Sequence, residues 1–135
     1  MSHFSEATKD FGEIKKRMAE AIKEATAPAR AALVADFRAV FEKHPDVKHI
    51  LWRQYTPYFN DGEPCVFRVR DVYVFTGADG EDDYEGDWKH PANKDLPDVG
   101  GNGTEDLLLA MFGDHVKVTL KRDAADFEVD EYDHD

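Results

Sequence analysis

Apolar residues recur at three- and four-residue steps over residues 4–26. Phe11, Ile14, Met18, Ile22 and Ala25 line one side of a helix there. Glu13, Lys15, Lys16, Arg17, Glu20, Lys23 and Glu24 sit between them. Glu20 has Lys23 and Glu24 at contact spacing, one favourable neighbour and one opposing. Thr26-Ala27-Pro28 breaks the run. Proline suits a first helical turn, so the spacing predicts a second helix from Pro28, with Leu33, Phe37, Val40 and Phe41 as its buried face. It should stop near Lys43, because His44 precedes Pro45 and that position avoids helical geometry. The two segments form a helical hairpin or one kinked helix.

From Val47 the period changes. Residues 47–59 are rich in β-branched and aromatic side chains, and Asn60-Asp61-Gly62-Glu63 is a turn signal. Residues 65–75 return as a strand. Cys65, Phe67 and Val69 alternate with Val66, Arg68 and Arg70, and after Asp71 both faces turn apolar. A bulge near Asp71, or entry into a two-sided core, accounts for that switch.

Residues 77–104 hold six glycines, two prolines and almost no apolar periodicity, which predicts a mobile or functional loop. Thr104 then reads as the cap of a short helix, with Glu105 and Asp106 in its first turn and Gly113 at its end. Val116, Val118 and Leu120, then Phe127 and Val129, alternate with polar residues as two strands of a hairpin. Lys117 and Lys121 face the carboxylates of the second strand. The expectation is one α+β domain over residues 1–135. Two N-terminal helices pack on an antiparallel sheet of about four strands, with a long acidic Gly-rich loop and one short helix.

Charge changes this picture more than length does. The 135 residues carry a formal net charge of −12. Residues 1–58 balance at +2 and residues 59–135 at −14. An acidic field repels nucleic-acid phosphates and anionic membranes, and it speeds encounter with basic partners. Direct nucleic-acid binding and membrane association are therefore not expected. A single cysteine, Cys65, excludes an internal disulfide. No stretch reaches the length of an apolar membrane span, and residues 1–11 lack the pattern of a signal peptide. A soluble cytoplasmic protein is the expectation.

The densest motif is WRQYTPYFNDGEPC, residues 52–65. The string QYTPYFNDGEPC, with the terminal EYDHD, resembles a small uncharacterised family found in phages and bacteria. The resemblance implies that the hairpin is the family signature, and a counter-defence or host-modulating setting, in the host cytoplasm if phage-encoded. It carries over no catalytic residue. From the residues themselves, Arg53, Arg68 and Arg70 form a basic cluster beside Tyr55, Tyr58, Asn60 and Asp61. Arginines beside aromatic rings hold phosphates or carboxylates and stack on planar groups. The plainer alternative is that the aromatics are core and the arginines pair with the protein's own carboxylates.

The acidic loop offers Asp79, Glu81, Asp82, Asp83, Glu85 and Asp87 as a partner-binding surface. It fails as an EF-hand, because Tyr84 stands where glycine is required and His90 where the bidentate Glu belongs. The carboxylates and His134 at the C-terminus match no metal spacing. Cys65 with His49 or His115 as base is weak evidence for a thiol nucleophile, and Cys65 is expected to be buried on an apolar strand face. No catalytic residue, metal site or cofactor is called for. Two readings of function remain in front. One is a non-enzymatic protein that binds a basic host-protein surface through its acidic half. The other is a binder of a small, nucleotide-like anion at the Arg53/Arg68/Arg70 hairpin. A metal-dependent hydrolase stands behind both.

Overall fold

The computed structural model describes residues 3–57, 62, 65–77, 86–100 and 103–132, with side chains from residue 10 onward. One helix, α1 (His3–Lys43), takes the place of the two expected. Pro28 lies inside it and is exposed. An interior proline removes one backbone hydrogen bond and costs about 3 kcal/mol. The alanines on both sides of it are the strongest helix formers. Five residues on, Leu33 and then Phe37, Val40 and Phe41 are anchored in the core, which keeps the helix continuous past the proline. The Thr26 hydroxyl donates to the Lys23 carbonyl just before the proline (2.8 Å). The expected stop at Lys43 is observed.

Only the C-terminal half of α1 packs on the sheet. Phe37 is 0 % exposed, whereas Phe11, Ile14 and Met18 are 62, 51 and 61 % exposed. The N-terminal apolar stripe, expected to lie on the sheet, finds no cover in the body of the fold.

The sheet is antiparallel, in the order β2-β1-β4-β5. Its strands are β1 (His49–Tyr55), β2 (Arg68–Val69), β3 (Tyr73–Phe75), β4 (Val116–Lys121) and β5 (Glu128–Glu131). β3 pairs with β1 on the same edge as β2. Strand β1 is central, held along its length by β4 from His49↔Lys121 to Gln54↔Val116. Its expected reach to residue 59 is shorter in fact: the strand ends at Tyr55. Of the predicted turn, only Gly62 is described, and its φ of 82° is one that glycine adopts without strain.

β2 and β3 are one interrupted strand. Between Gln54↔Val69 and Leu51↔Tyr73 lie two residues of β1 but three of its partner. That extra residue is a bulge at Asp71–Val72, as the broken alternation predicts. Cys65, by contrast, is exposed and lies ahead of the strand, so the expectation of a buried strand cysteine is corrected.

The core lies between one sheet face, α1 and the short helix α2 (Glu105–Phe112). Four rings from four segments meet there. Phe37 stacks on Trp52 (5.8 Å), and Phe112 and Phe127 meet Trp52 edge-on at 5.6 Å each. Gln54 is fully buried beside them and joins the layers. Its amide nitrogen donates to the Leu108 and Gly113 carbonyls (2.9 and 2.8 Å), and its oxygen accepts from Trp52 Nε1 (3.0 Å). Gly113 ends α2, as expected. Thr104 does not cap it through its side chain. The hydroxyl donates to the Val99 carbonyl instead (3.0 Å), which ties down the segment before the helix.

Residues 86–100 are built rather than loose, correcting part of the expected loop. The Asp87 N–H donates to the Val74 carbonyl (2.8 Å). A Cβ on Gly86 would lie 2.4 Å from that same carbonyl, so only glycine allows this approach. A 3-10 turn (Pro91–Lys94) then buries Ala92, and Val99 reaches the core. His90 Nδ1 accepts from the Ala92 N–H, so its Nε2 is the proton carrier and donates to Asp46 (2.7 Å). His44 and Lys43 bond Asp95 at 2.7 and 3.1 Å. The end of α1 is thereby clasped to this segment.

Candidate functional site at the sheet bulge

Directly opposed residues in antiparallel strands share a face. Ile50, Trp52 and Gln54 take the core face of β1, so His49, Leu51, Arg53 and Tyr55 take the other. Lys117, Thr119 and Lys121 of β4 join them there, with Glu128 and Asp130 of β5. Lys121 pairs with Glu128 at 3.4 Å, as the alternation predicts. His49 is taken up by a stack on Phe75, with ring centres 4.5 Å apart.

At one end of this face the cations and rings form a row. The Arg70 guanidinium lies 4.7 Å from the centre of the Tyr55 ring. Tyr55 and Tyr132 are 5.7 Å apart, and Arg53 lies 5.4 Å from the Tyr132 ring. Each element positions its member for a local reason. Arg70 is the last residue before the bulge, and its N–H donates to the Arg53 carbonyl (2.8 Å). Tyr132 follows β5, and its N–H donates to the His115 carbonyl (2.8 Å). The exit of β1 is pinned by Asp114, whose carboxylate accepts from the Thr56 N–H and hydroxyl (2.8 and 2.7 Å) and from the His115 N–H (2.8 Å). Desolvation raises the Asp114 carboxyl, but these hydrogen bonds, led by the Thr56 hydroxyl, bring it below its ordinary value.

The row differs in exposure along its length. Arg53 is 8 % exposed under Tyr132, while Arg70 and Arg68 are exposed. Among the described residues neither Arg68 nor Arg70 enters an ion pair. Two hollows flank the bulge. One, of about 430 Å³, is lined by Tyr55, Val69, Arg70, Asp71 and Tyr73. The other, of about 320 Å³, adds Asn93, Leu96 and Asp98 to Arg70 and Asp71. Both fall within the range of small-ligand sites, about 300–1,000 Å³. The arrangement offers a guanidinium in no ion pair among the described residues, with a phenol ring as its platform, Tyr73 across one hollow and the carboxylates Asp71 and Asp98 on the hollow walls. That is chemistry for holding an anion attached to a planar or hydroxyl-bearing group.

The structure brings Arg53, Tyr55 and Arg70 together as a cluster. Arg68 stands opposite Tyr55 in register, at the outer edge. Tyr58, Asn60 and Asp61 lie outside the described residues, as do Asp79, Glu81, Asp82, Asp83 and Glu85. Asp87 is half-buried, its main chain on the β3 edge. Tyr132, Tyr73 and Asp71 belong to the site and were not singled out as ligands from sequence. For Tyr132 the only signal was its place in the EYDHD string. Among the described residues no group of His, Cys, Asp and Glu is arranged to hold a metal ion, and no helix is long and apolar enough to cross a membrane. No family of known proteins, no curated protein and no solved structure matches the chain.

Proposed function

We propose that this is a binding protein whose bulge corner, Arg70 on Tyr55 with Asp71 and Tyr73, takes a small anionic ligand of the nucleotide type. The observation that carries this reading is the Arg70 guanidinium, seated 4.7 Å from the Tyr55 ring at the junction of two hollows and in no ion pair among the described residues. A phosphate takes the guanidinium edge and a planar group takes the phenol faces. Titration with AMP, and separately with inorganic phosphate, followed by amide chemical shifts, tests it. Shifts should centre on Tyr55, Arg70 and Tyr73, with AMP binding tighter than phosphate. Arg70→Ala should weaken AMP by at least about tenfold, the worth of one charge-assisted hydrogen bond. Uniform small shifts, or equal binding by Arg70→Ala, would sink the reading.

A second reading rests on charge. Residues 59–135 balance at −14, and this favours association of the acidic half, Asp79 to Asp87, with a basic protein surface. The host-modulating setting implied by the sequence resemblance belongs to this reading. Reversing Asp79, Glu81, Asp82 and Asp83 to Lys should slow association with such a partner and leave dissociation nearly unchanged, because steering acts on the encounter. Under the first reading the same reversal leaves AMP binding intact.

A further inference from the structure

The N-terminal half of α1 carries a pattern that neither reading uses. Apart from Ala19, the apolar positions over residues 4–21 are Phe4, Ala7, Phe11, Ile14, Met18 and Ala21, at steps of three and four, and Ala25 continues the series. That is the a and d series of a heptad repeat, with period 3.5. The other positions repeat in step. Glu6, Glu13 and Glu20 fall at one heptad position, and Lys9, Lys16 and Lys23 at another three residues on. Each Glu therefore faces a Lys on its own helix, away from the apolar seam.

From Asp10 to Ala21 the structure leaves this seam uncovered. Every described side chain from Asp10 to Ala21 is exposed, and Ile22 is the first to be half-buried. The projecting arm, from His3 to Ala21, is roughly 28 Å long at 1.5 Å per residue. A lone helix of that length is marginal in water, and Gly12 weakens it further. At about 100° per residue, the seam lies roughly a quarter turn from the row Phe37–Phe41 that faces the sheet. A partner helix therefore reaches the seam without meeting the body.

We propose that the partner is a second copy of this chain, paired through this seam as a parallel, in-register two-stranded coiled coil. Charge selects the occupant, and charge together with the length of the seam selects its direction. In the parallel pair Asp10 of one helix, flanking the seam, lies across from Lys15 of the other, twice by symmetry. An antiparallel pair overlapping residues 4–21 sets Asp10 against Arg17, also twice, but gives up the Ala25 layer. The antiparallel register that keeps Ala25 sets Arg17 against Arg17, Lys15 against Lys15 and Asp10 beside Glu24, all like charges. Pro28 falls on the next seam position and ends the pairing just as the body begins.

Sedimentation velocity of the full chain over about 5 to about 500 µM tests it, because a dimer fraction follows concentration by mass action. The expected result is a monomer–dimer equilibrium, with 222 nm ellipticity rising as the dimer forms. Ile14→Glu should abolish dimerisation and leave the near-ultraviolet spectrum of buried Trp52 unchanged, which separates loss of pairing from loss of fold. Gly12→Ala, in open space, should tighten the dimer by about tenfold through helix propensity. Direction is read with Ala21→Cys in a Cys65→Ser background: oxidation should join two chains at residue 21 in the parallel pair. A chain that stays monomeric throughout, or an Ile14→Glu variant that dimerises as well as the parent, overturns the proposal. A dimer that does not cross-link at residue 21 overturns its parallel geometry.

Discussion

The two halves of α1 have similar patterns and different fates. Phe11, Ile14 and Met18 repeat at helical spacing as Leu33, Phe37, Val40 and Phe41 do, yet the first set is open to solvent and the second is mostly buried. Amphipathicity states that a face has something to gain from cover. It does not state what covers it. The C-terminal half lies over β1, α2 and the Phe127 segment, all in its own chain, while the N-terminal half extends past the last of them. The difference is one of geometry: a continuous 41-residue helix is longer than the sheet it lies on.

The sharpest test sets one ring against the other. Phe37→Ala should cost about 3–5 kcal/mol, since Phe37 is fully buried against Trp52 and Phe127. Phe11→Ala should change the unfolding free energy of the body by less than about 0.5 kcal/mol, as for an exposed site. Urea melts followed by Trp fluorescence measure both at low protein concentration. Equal losses would erase the distinction between the halves.

Arg122 gives the next largest effect, at the buried end. Its guanidinium donates to the carbonyls of Phe41 (3.0 Å), His44 (2.6 Å) and Val47 (2.8 Å) and lies 5.1 Å from the Phe41 ring. It closes the C-terminus of α1 where the carbonyl ends of the helix dipole gather. Arg122→Ala should cost about 2–3 kcal/mol, the loss of charge-assisted bonds to carbonyls left half-buried. Hydrogen exchange should then accelerate over residues 37–43 and remain unchanged over 10–21.

Pro28 marks the boundary. Pro28→Ala restores a backbone donor inside the helix, so it should add about 1–3 kcal/mol of stability. If the body sets the helix line by packing from Leu33 onward, the gain appears in the melt of the body and in protection at residues 24–28. A loss of stability would show that the proline is needed at the junction.

The smallest effect is with pH. A hydrogen bond from Arg30, where the helix meets the body, holds the Asp126 carboxyl below its ordinary value, and His44, then Lys43, do the same for Asp95 at the far end. A carboxyl depressed in the folded state supports the fold fully above its unfolded value, 3.8, and loses that support as pH falls through the folded one. Stability should therefore stay level with respect to these groups from neutrality to about pH 4 and fall below it. Asp126→Asn should flatten part of that acid limb in urea melts, and should leave the N-terminal arm unaffected.

The candidate site divides in the same way. Trp52 and Tyr55 sit in one motif, and the sequence alone does not say which is core and which is ligand platform. Strand alternation places them on opposite faces of β1, and packing of α1 and α2 then decides which face is dry. The Asp71 bulge was legible, because an extra residue leaves its mark in the alternation itself. Gln54 was not, since a buried amide bonded to Trp52 and to the carbonyls of Leu108 in α2 and Gly113 at its end has no local signature. Nor was Tyr132, which reaches Tyr55 and Arg53 across seventy-odd residues of chain.

Local chemistry, then, determined which stretches are helical and which extended, where α1 and α2 stop, that the sheet is antiparallel and that one strand is bulged, though not where each strand begins and ends. These follow from periodicity, proline and glycine, all of which act over a few residues. Tertiary structure alone decided that α1 is unbroken, that half of its apolar stripe is left without cover, that Cys65 is exposed, and that Arg70, Tyr55, Tyr132 and Arg53 form one row. Each of these depends on contacts between segments far apart in the chain, and a contact free energy of a few kcal/mol is enough to override the local cost of a proline or to hold a charged side chain against a ring.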